Sequence, residues 1–197
     1  MFKNGKKNCS KNGIVIKMLS KHNCLALLNR LNPKNIVEHS IIVSNIAYYI
    51  AKKMRDRGYD INPLLVHRAA LLHDLDKYYS LKGLCKHGEL SYKILVSKGY
   101  KRLAELVKAH LLLELLKRKF TLEELIVNYA DKRASNKIVS LKERMEYGIK
   151  RYAKTKEEVR KFRKATSILF ELEREIFKDF VSLPKSLENV NFLLNIP

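Results

Sequence analysis

Apolar residues recur at helical spacing along most of the chain, and no stretch alternates convincingly with the period of two expected of a strand. In residues 35–57, NIVEHSIIVSNIAYYIAKKMRDR, positions Ile36, Val37, Ile41, Val43, Ile46, Ala47 and Ile50 share one face of an amphipathic helix. A shorter helix is predicted over about 22–30, closed by LNPKN. Asn62 as N-cap and Pro63 at the first helical position open a helix over 63–74. DKYYSLKGLCK reads as a loop, followed by helices over about 87–98, ended by Gly99, and 101–117. Thr121 with Glu124 forms a capping box for LEELIVNYADKRAS. A helix over 138–153 follows, and Thr155 with Glu158 caps one from 156 to about 180. The stripe of that last helix is Val159, Phe162, Ala165, Ile168, Leu169, Leu172, Ile176 and Phe180. The pattern predicts an all-α fold: a mobile basic tail over 1–20, a helical domain over 21–145 and a C-terminal helical extension over 146–197, packed back on the domain.

Composition narrows the class. Of the 197 residues 46% are hydrophobic, enough for a real core, while 7 glycines and 4 prolines suit helices better than a turn-rich β architecture. Cys9, Cys24 and Cys85 are odd in number and far apart, which argues against a disulfide framework and fits a reducing cytoplasm. No apolar run approaches the roughly 20 residues needed to span a bilayer, so a cytoplasmic protein without a membrane span is expected. The formal charge of +20 favours anionic partners, nucleotides or nucleic acid among them, although lysine is spread along the whole chain. The 156–180 stripe, with Lys156, Arg160, Lys161, Arg163 and Lys164 opposite, is most simply core packing; a homodimer contact or a basic face for RNA or anionic lipid are its alternatives.

Against this background the ionisable residues are out of place. His39 lies in mid-helix, His73 and Asp74 end an apolar helix, His87 opens one, His110 sits in LVKAHLLL and Asp131 in IVNYADKR. Buried charges and unpaired imidazoles cost several kcal/mol unless satisfied. A divalent metal satisfies both imidazole nitrogen and carboxylate oxygen, and helical bundles commonly host such sites. His73 and Asp74 differ by about 100° around a helix axis, so both can face one site only near a helix end. His67 reads as a surface or packing histidine, His22 has no role, the pairs Tyr48/Tyr49 and Tyr78/Tyr79 read as core and rim, and no phosphate loop is present.

EHS at 38–40, ALLHDLDK at 70–77, HGEL at 87–90, VKAH at 107–110 and NYADKR at 128–133 resemble, in order, the motifs of the HD superfamily of metal-dependent phosphohydrolases. The resemblance covers about residues 35–145 and implies an HD-domain helical bundle. Its H…HD…D skeleton falls on His39, His73, Asp74 and Asp131. His87 and His110 match the extra histidines of the two-metal branch, which includes symmetrical dinucleoside-tetraphosphate hydrolases and cyclic-dinucleotide phosphodiesterases. That branch implies one metal on His39, His73, Asp74 and Asp131 and a second on His87, His110 and a bridging, catalytic Asp74. The ions implied are Fe, Mn, Ni, Co or Zn. Asp76 stands where a glycine or alanine is usual, and the GYP signature of diguanylate enzymes is absent; ADKRASNKIVSLKERM resembles HD proteins of unassigned substrate. Metal-activated water would attack a phosphoester or phosphoanhydride of a nucleotide-type substrate. Lys77, Lys132 and Arg133 would grip the phosphate, and Asp76 would serve as general acid or as an orienting group. The alternative is a non-catalytic HD scaffold holding RNA or a nucleotide through its basic surface.

Overall fold

A computed structural model describes residues 17–178 and 181–197. The predicted basic tail lies largely outside the described residues, as do Cys9 and Phe180. The described chain is all-α, with one isolated bridge between Ala134 and Ile138. α1 (Lys21–Leu31) starts at Ser20, whose side chain accepts from the Asn23 amide. α2 (Lys34–Asp56) is the central helix: Val43, Ile46, Ala47, Ile50 and Ala51 are wholly buried, which leaves solvent no access along that face. α3 (Pro63–Leu72) packs along it, its N-terminus held by the Asn62 side chain accepting from the Leu64 and Leu65 amides. α5 (Glu89–Ser97) and α6 (Lys101–Lys108) pair with one another, and α7 (Leu122–Lys132) closes the bundle against α2 and α3. Both sequence-predicted capping boxes form, at Thr121/Glu124 before α7 and at Thr155/Glu158 before α9 (Lys156–Ile176); a third forms at Ser140/Glu143 before α8 (Leu141–Tyr152).

Three local departures from the sequence pattern position the site. A one-turn helix, α4 (Lys77–Leu81), stands in the predicted loop; five residues are too few to show a period. His87 does not open α5 but precedes Gly88, its N-cap, whose φ of 84° lies in the left-handed region. The helix predicted to reach 117 stops at Lys108, and a 3₁₀ turn, Leu112–Leu116, takes its place. Neither glycine nor proline marks that break. It is set from outside, where Asn128 on α7 donates to the Ala109 carbonyl at 2.8 Å. His87 and His110 therefore sit on connections rather than on apolar helices.

α9 returns over the core: Ala165, Leu169, Leu172 and Ile176 are fully buried against the Leu112–Leu116 turn and α7. Its first half is looser, with Val159 and Phe162 only half-buried beside α8. The last residues run back across α2, where buried Asn45 donates to the Leu187 and Asn189 carbonyls at 3.0 and 3.3 Å. No helix among the described residues is long and apolar enough to cross a membrane.

Candidate metal centre

The ends of α3, α6 and α7, the α4–α5 connection and the second turn of α2 meet at one point. His39 comes from α2; His73 is the C-cap of α3, with Asp74 next in the turn; Asp131 lies in the last turn of α7. His39 Nε2 stands 3.3 Å from Asp131 Oδ1. His73 Nε2 is 3.6 Å from both Asp74 Oδ2 and Asp131 Oδ1. On the other side of Asp74, His87 Nε2 is 3.1 Å from Oδ1 and 2.9 Å from His110 Nε2, and His110 Nε2 is 3.7 Å from Oδ1. The donor atoms form two groups, each within 4.8 Å: His39, His73 and Asp74, then Asp74, His87 and His110. Asp74 belongs to both.

The back of every ring is fixed. The Nδ1–H groups of His39, His73 and His110 donate to the carbonyls of Ser135, Ala70 and Val107 at 3.1, 2.7 and 2.6 Å. His87 Nδ1 donates to Asp76 Oδ1 at 2.8 Å. A carbonyl can only accept, so three of the rings must carry their proton on Nδ1 and present the Nε2 lone pair when neutral. All four Nε2 atoms converge on the two carboxylates, and buried His73 Nε2 has no hydrogen-bond partner among the described residues. A hydrogen-bonded back nitrogen and a free inward one is the arrangement of histidines that ligate metal, so this donor set fits divalent cations.

Electrostatics agrees. Burial pushes the Asp74 carboxyl up, but His73, His87, Lys77 and His110 together hold it well below the ordinary range. Asp131 is likewise pushed up by burial and held low by Lys132, His39 and His73. Burial, then the facing His73 and His87, pushes His110 down to about 3, so it is a neutral donor at any working pH. Burial pulls His87 down too, yet Asp74 and Asp76 outweigh it and raise it to about 9. A metal ion and a proton compete for that Nε2.

The family model of the HD domain matches residues 36–136, which carry every one of these donors. The chain belongs to the HD domain family. It is similar to an uncharacterized protein of Methanocaldococcus jannaschii, 31% identical over 121 residues, covering 54% of this chain and 70% of that relative. No solved structure matches it.

Beyond the HD donors, the other sequence-predicted residues divide. Lys77 reaches the site: its Nζ lies 3.7 Å from Asp74 Oδ1 and 3.4 Å from His87 Nε2. Lys132 also lines the cavity, pairing with Asp131 Oδ2 and donating to the His110 carbonyl at 3.1 Å. Arg133 does not. Its guanidinium turns away to the Val139 carbonyl at 2.7 Å, to the Tyr129 hydroxyl, and to Glu173 of α9 at 2.7 Å, tying α7 to the C-terminal helix.

Asp76 is fully buried and spent on positioning: Oδ1 accepts from His87 Nδ1 and from the Gly88 amide at 3.1 Å, and Oδ2 accepts from the Ser91 amide at 3.0 Å. Burial raises its carboxyl, but His87, Ser91 and Gly88 outweigh it and hold it below the ordinary range. A carboxylate kept ionised has no proton to give a leaving group, so the orienting half of its expected role is the one this geometry fits. His67 is a packing histidine, fully buried with Nδ1 2.6 Å from Arg68 and its ring edge-on to Tyr48. Sequence reasoning missed Asn128, which fixes the turn carrying His110, although it lies in the NYADKR motif itself. It also missed the cavity wall, to which α8 and α9 contribute.

Proposed function

We propose that the chain is a metal-dependent phosphohydrolase that cleaves a phosphate ester or anhydride, with two divalent ions per chain. The observation that carries this reading is the pair of donor groups sharing Asp74, each Nε2 directed inward by a fixed Nδ1–H. His39, His73, Asp74 and Asp131 would hold one ion and Asp74, His87 and His110 the other. Fe, Mn, Ni, Co and Zn all suit such nitrogen and oxygen ligands. Bound divalent ions supply Lewis acidity, which lowers the pKa of water and polarises a phosphoryl oxygen.

The chain's own groups do the rest. Asp76 holds the His87 ring in one orientation, and the Ser135, Ala70 and Val107 carbonyls hold the other three. Lys77, its side chain about one-third exposed at the cavity edge, meets the negative charge of an entering phosphate, and Lys132 adds a second cation on the same floor. His73, fully buried, and half-buried His39 do not line the cavity themselves.

The rival reading is a scaffold that binds an anion without turnover, and the two separate on one variant. Asp74→Ala should abolish phosphate release by metal-loaded protein while the folded chain still binds an anionic ligand. A wild type that binds nucleotides or RNA but releases no phosphate with any of the five metals contradicts the enzyme.

A further inference from the structure

The floor of donors lies at the bottom of a cavity of about 510 Å³ that opens between the HD core and helices α8 and α9. Its floor is polar: Asp74, His87, His110 and Asp131 face it, with Lys77 and Lys132 beside them. Its wall is not. Leu112, Leu141, Met145, Phe162 and Leu169 form the far side, with Tyr147 toward the mouth. The rim carries apolar side chains in water: Leu81 is 67% exposed, Tyr152 56%, Tyr147 48% and Leu113 38%. Isolated exposed apolar residues need no explanation, but four around one mouth, continuous with an apolar wall over a charged floor, mark a ligand site.

The polar groups of that wall are already engaged in part. Thr166 Oγ1 donates to the Phe162 carbonyl at 2.8 Å, Glu114 is held by Lys117 at 2.6 Å, and the Arg144 guanidinium lies 5.4 Å from the Tyr147 ring centre. Gly148, on the face of α8 toward α9, lets the two helices close on this side: a Cβ there would come within 3.1 Å of the Phe162 ring.

We infer that the cavity takes the apolar organic group of a phosphate monoester, its phosphate on the Lys77–Lys132 floor and its organic part along the Leu112–Met145–Phe162 wall. The inference rests on the phosphohydrolase reading above and narrows it. A nucleoside brings ribose hydroxyls and base-edge donors and acceptors, and each one buried here without a partner lowers affinity by about tenfold or more. An alkyl or aryl group loses nothing on this wall, and every methylene it buries raises affinity by about fourfold. In the reaction the oxygen of water bonds to phosphorus, the ester P–O bond breaks, and the departing oxygen takes a proton of that water, giving inorganic phosphate and an apolar alcohol.

The test is a chain-length series. Phosphate release by metal-loaded protein is measured on methyl, n-butyl and n-hexyl phosphate, on ribose 5-phosphate and on adenosine 5′-monophosphate, with titration calorimetry of the same compounds on metal-free protein. The expected result is kcat/KM rising about fourfold per methylene, with n-hexyl phosphate well above both sugar phosphates. Calorimetry should show the same order and a negative heat-capacity change. Met145→Gln, at a half-buried wall position, should lower n-hexyl phosphate turnover about tenfold. A flat series, or preference for adenosine 5′-monophosphate, would overturn the inference while leaving the phosphohydrolase intact. Chain-length-dependent binding with no phosphate released from any compound would remove the hydrolysis and leave the apolar site standing.

Discussion

Replacing Asp76 by asparagine separates positioning from proton transfer. The carboxylate accepts three hydrogen bonds in a fully buried place, two on Oδ1 from His87 and Gly88 and one on Oδ2 from Ser91. An amide has one acceptor. If its oxygen stays with His87 and Gly88, its NH₂ faces the Ser91 N–H across 3.0 Å, donor against donor. An unsatisfied buried donor costs about 1–3 kcal/mol, and loss of charge roughly halves the strength of the two remaining bonds. The sum is about 3 kcal/mol, which for a chain of this size lowers the melting temperature by about 6–12 °C. Held by a neutral amide in place of a carboxylate, His87 should bind metal about 10–100-fold more weakly. Thermal melting of metal-free protein reads the first effect and chelator competition the second, while phosphate release at saturating metal should recover to within severalfold of wild type. Wild-type stability and metal affinity would refute the positioning role. Unchanged affinity with turnover lost at saturating metal would instead make Asp76 the proton donor.

Arg133→Ala should destabilise the fold by about 2–4 kcal/mol in urea melts, because the Val139 carbonyl loses its donor and Glu173 keeps only the Tyr129 hydroxyl, and should leave KM unchanged at 25 °C; a raised KM with unchanged stability would place Arg133 on the substrate after all. Glu124 predicts a pH dependence. Burial raises its carboxyl, but Arg118, bonded to both oxygens at 2.8 and 3.0 Å, and the Thr121 amide outweigh it and set it below its ordinary 4.5. A depressed carboxyl stabilises above its unfolded value and loses that contribution as pH falls through the lowered one. Wild type should therefore lose urea stability more steeply than Glu124→Gln as pH falls below about 4.5, and parallel slopes would contradict the assignment.

That His39, His73, Asp74, His87, His110 and Asp131 gather at one point was legible in the sequence because it rests on residue chemistry. Histidines and aspartates in apolar surroundings cost too much to bury unless they share a partner, and the adjacency of His73 and Asp74 required the helix end at which they stand. The helices were legible where caps or periodicity are local, as at Asn62, Thr121 and Thr155. What was not legible depends on contacts distant in sequence. The break after Lys108 follows from Asn128 and from the ring of His110, neither of which signals a helix end. Arg133 follows Asp131 by two residues and looked like a phosphate contact, yet near the end of α7 that offset turns it to the opposite side, toward α9. Half-buried Val159 and Phe162 belonged to the predicted stripe, but only the packing of α9 shows that Phe162 lines a cavity rather than the core.

The central claim is that Asp74 joins two donor groups, each holding its own ion. Metal content per chain, by mass spectrometry on protein prepared without chelator, tests it directly when His87→Ala is measured alongside. About two ions per wild-type chain and about one in the variant is the predicted result. One ion in both would contradict the second centre, and none in either, even after reconstitution with Mn, Fe, Co, Ni and Zn, would contradict the metal site altogether.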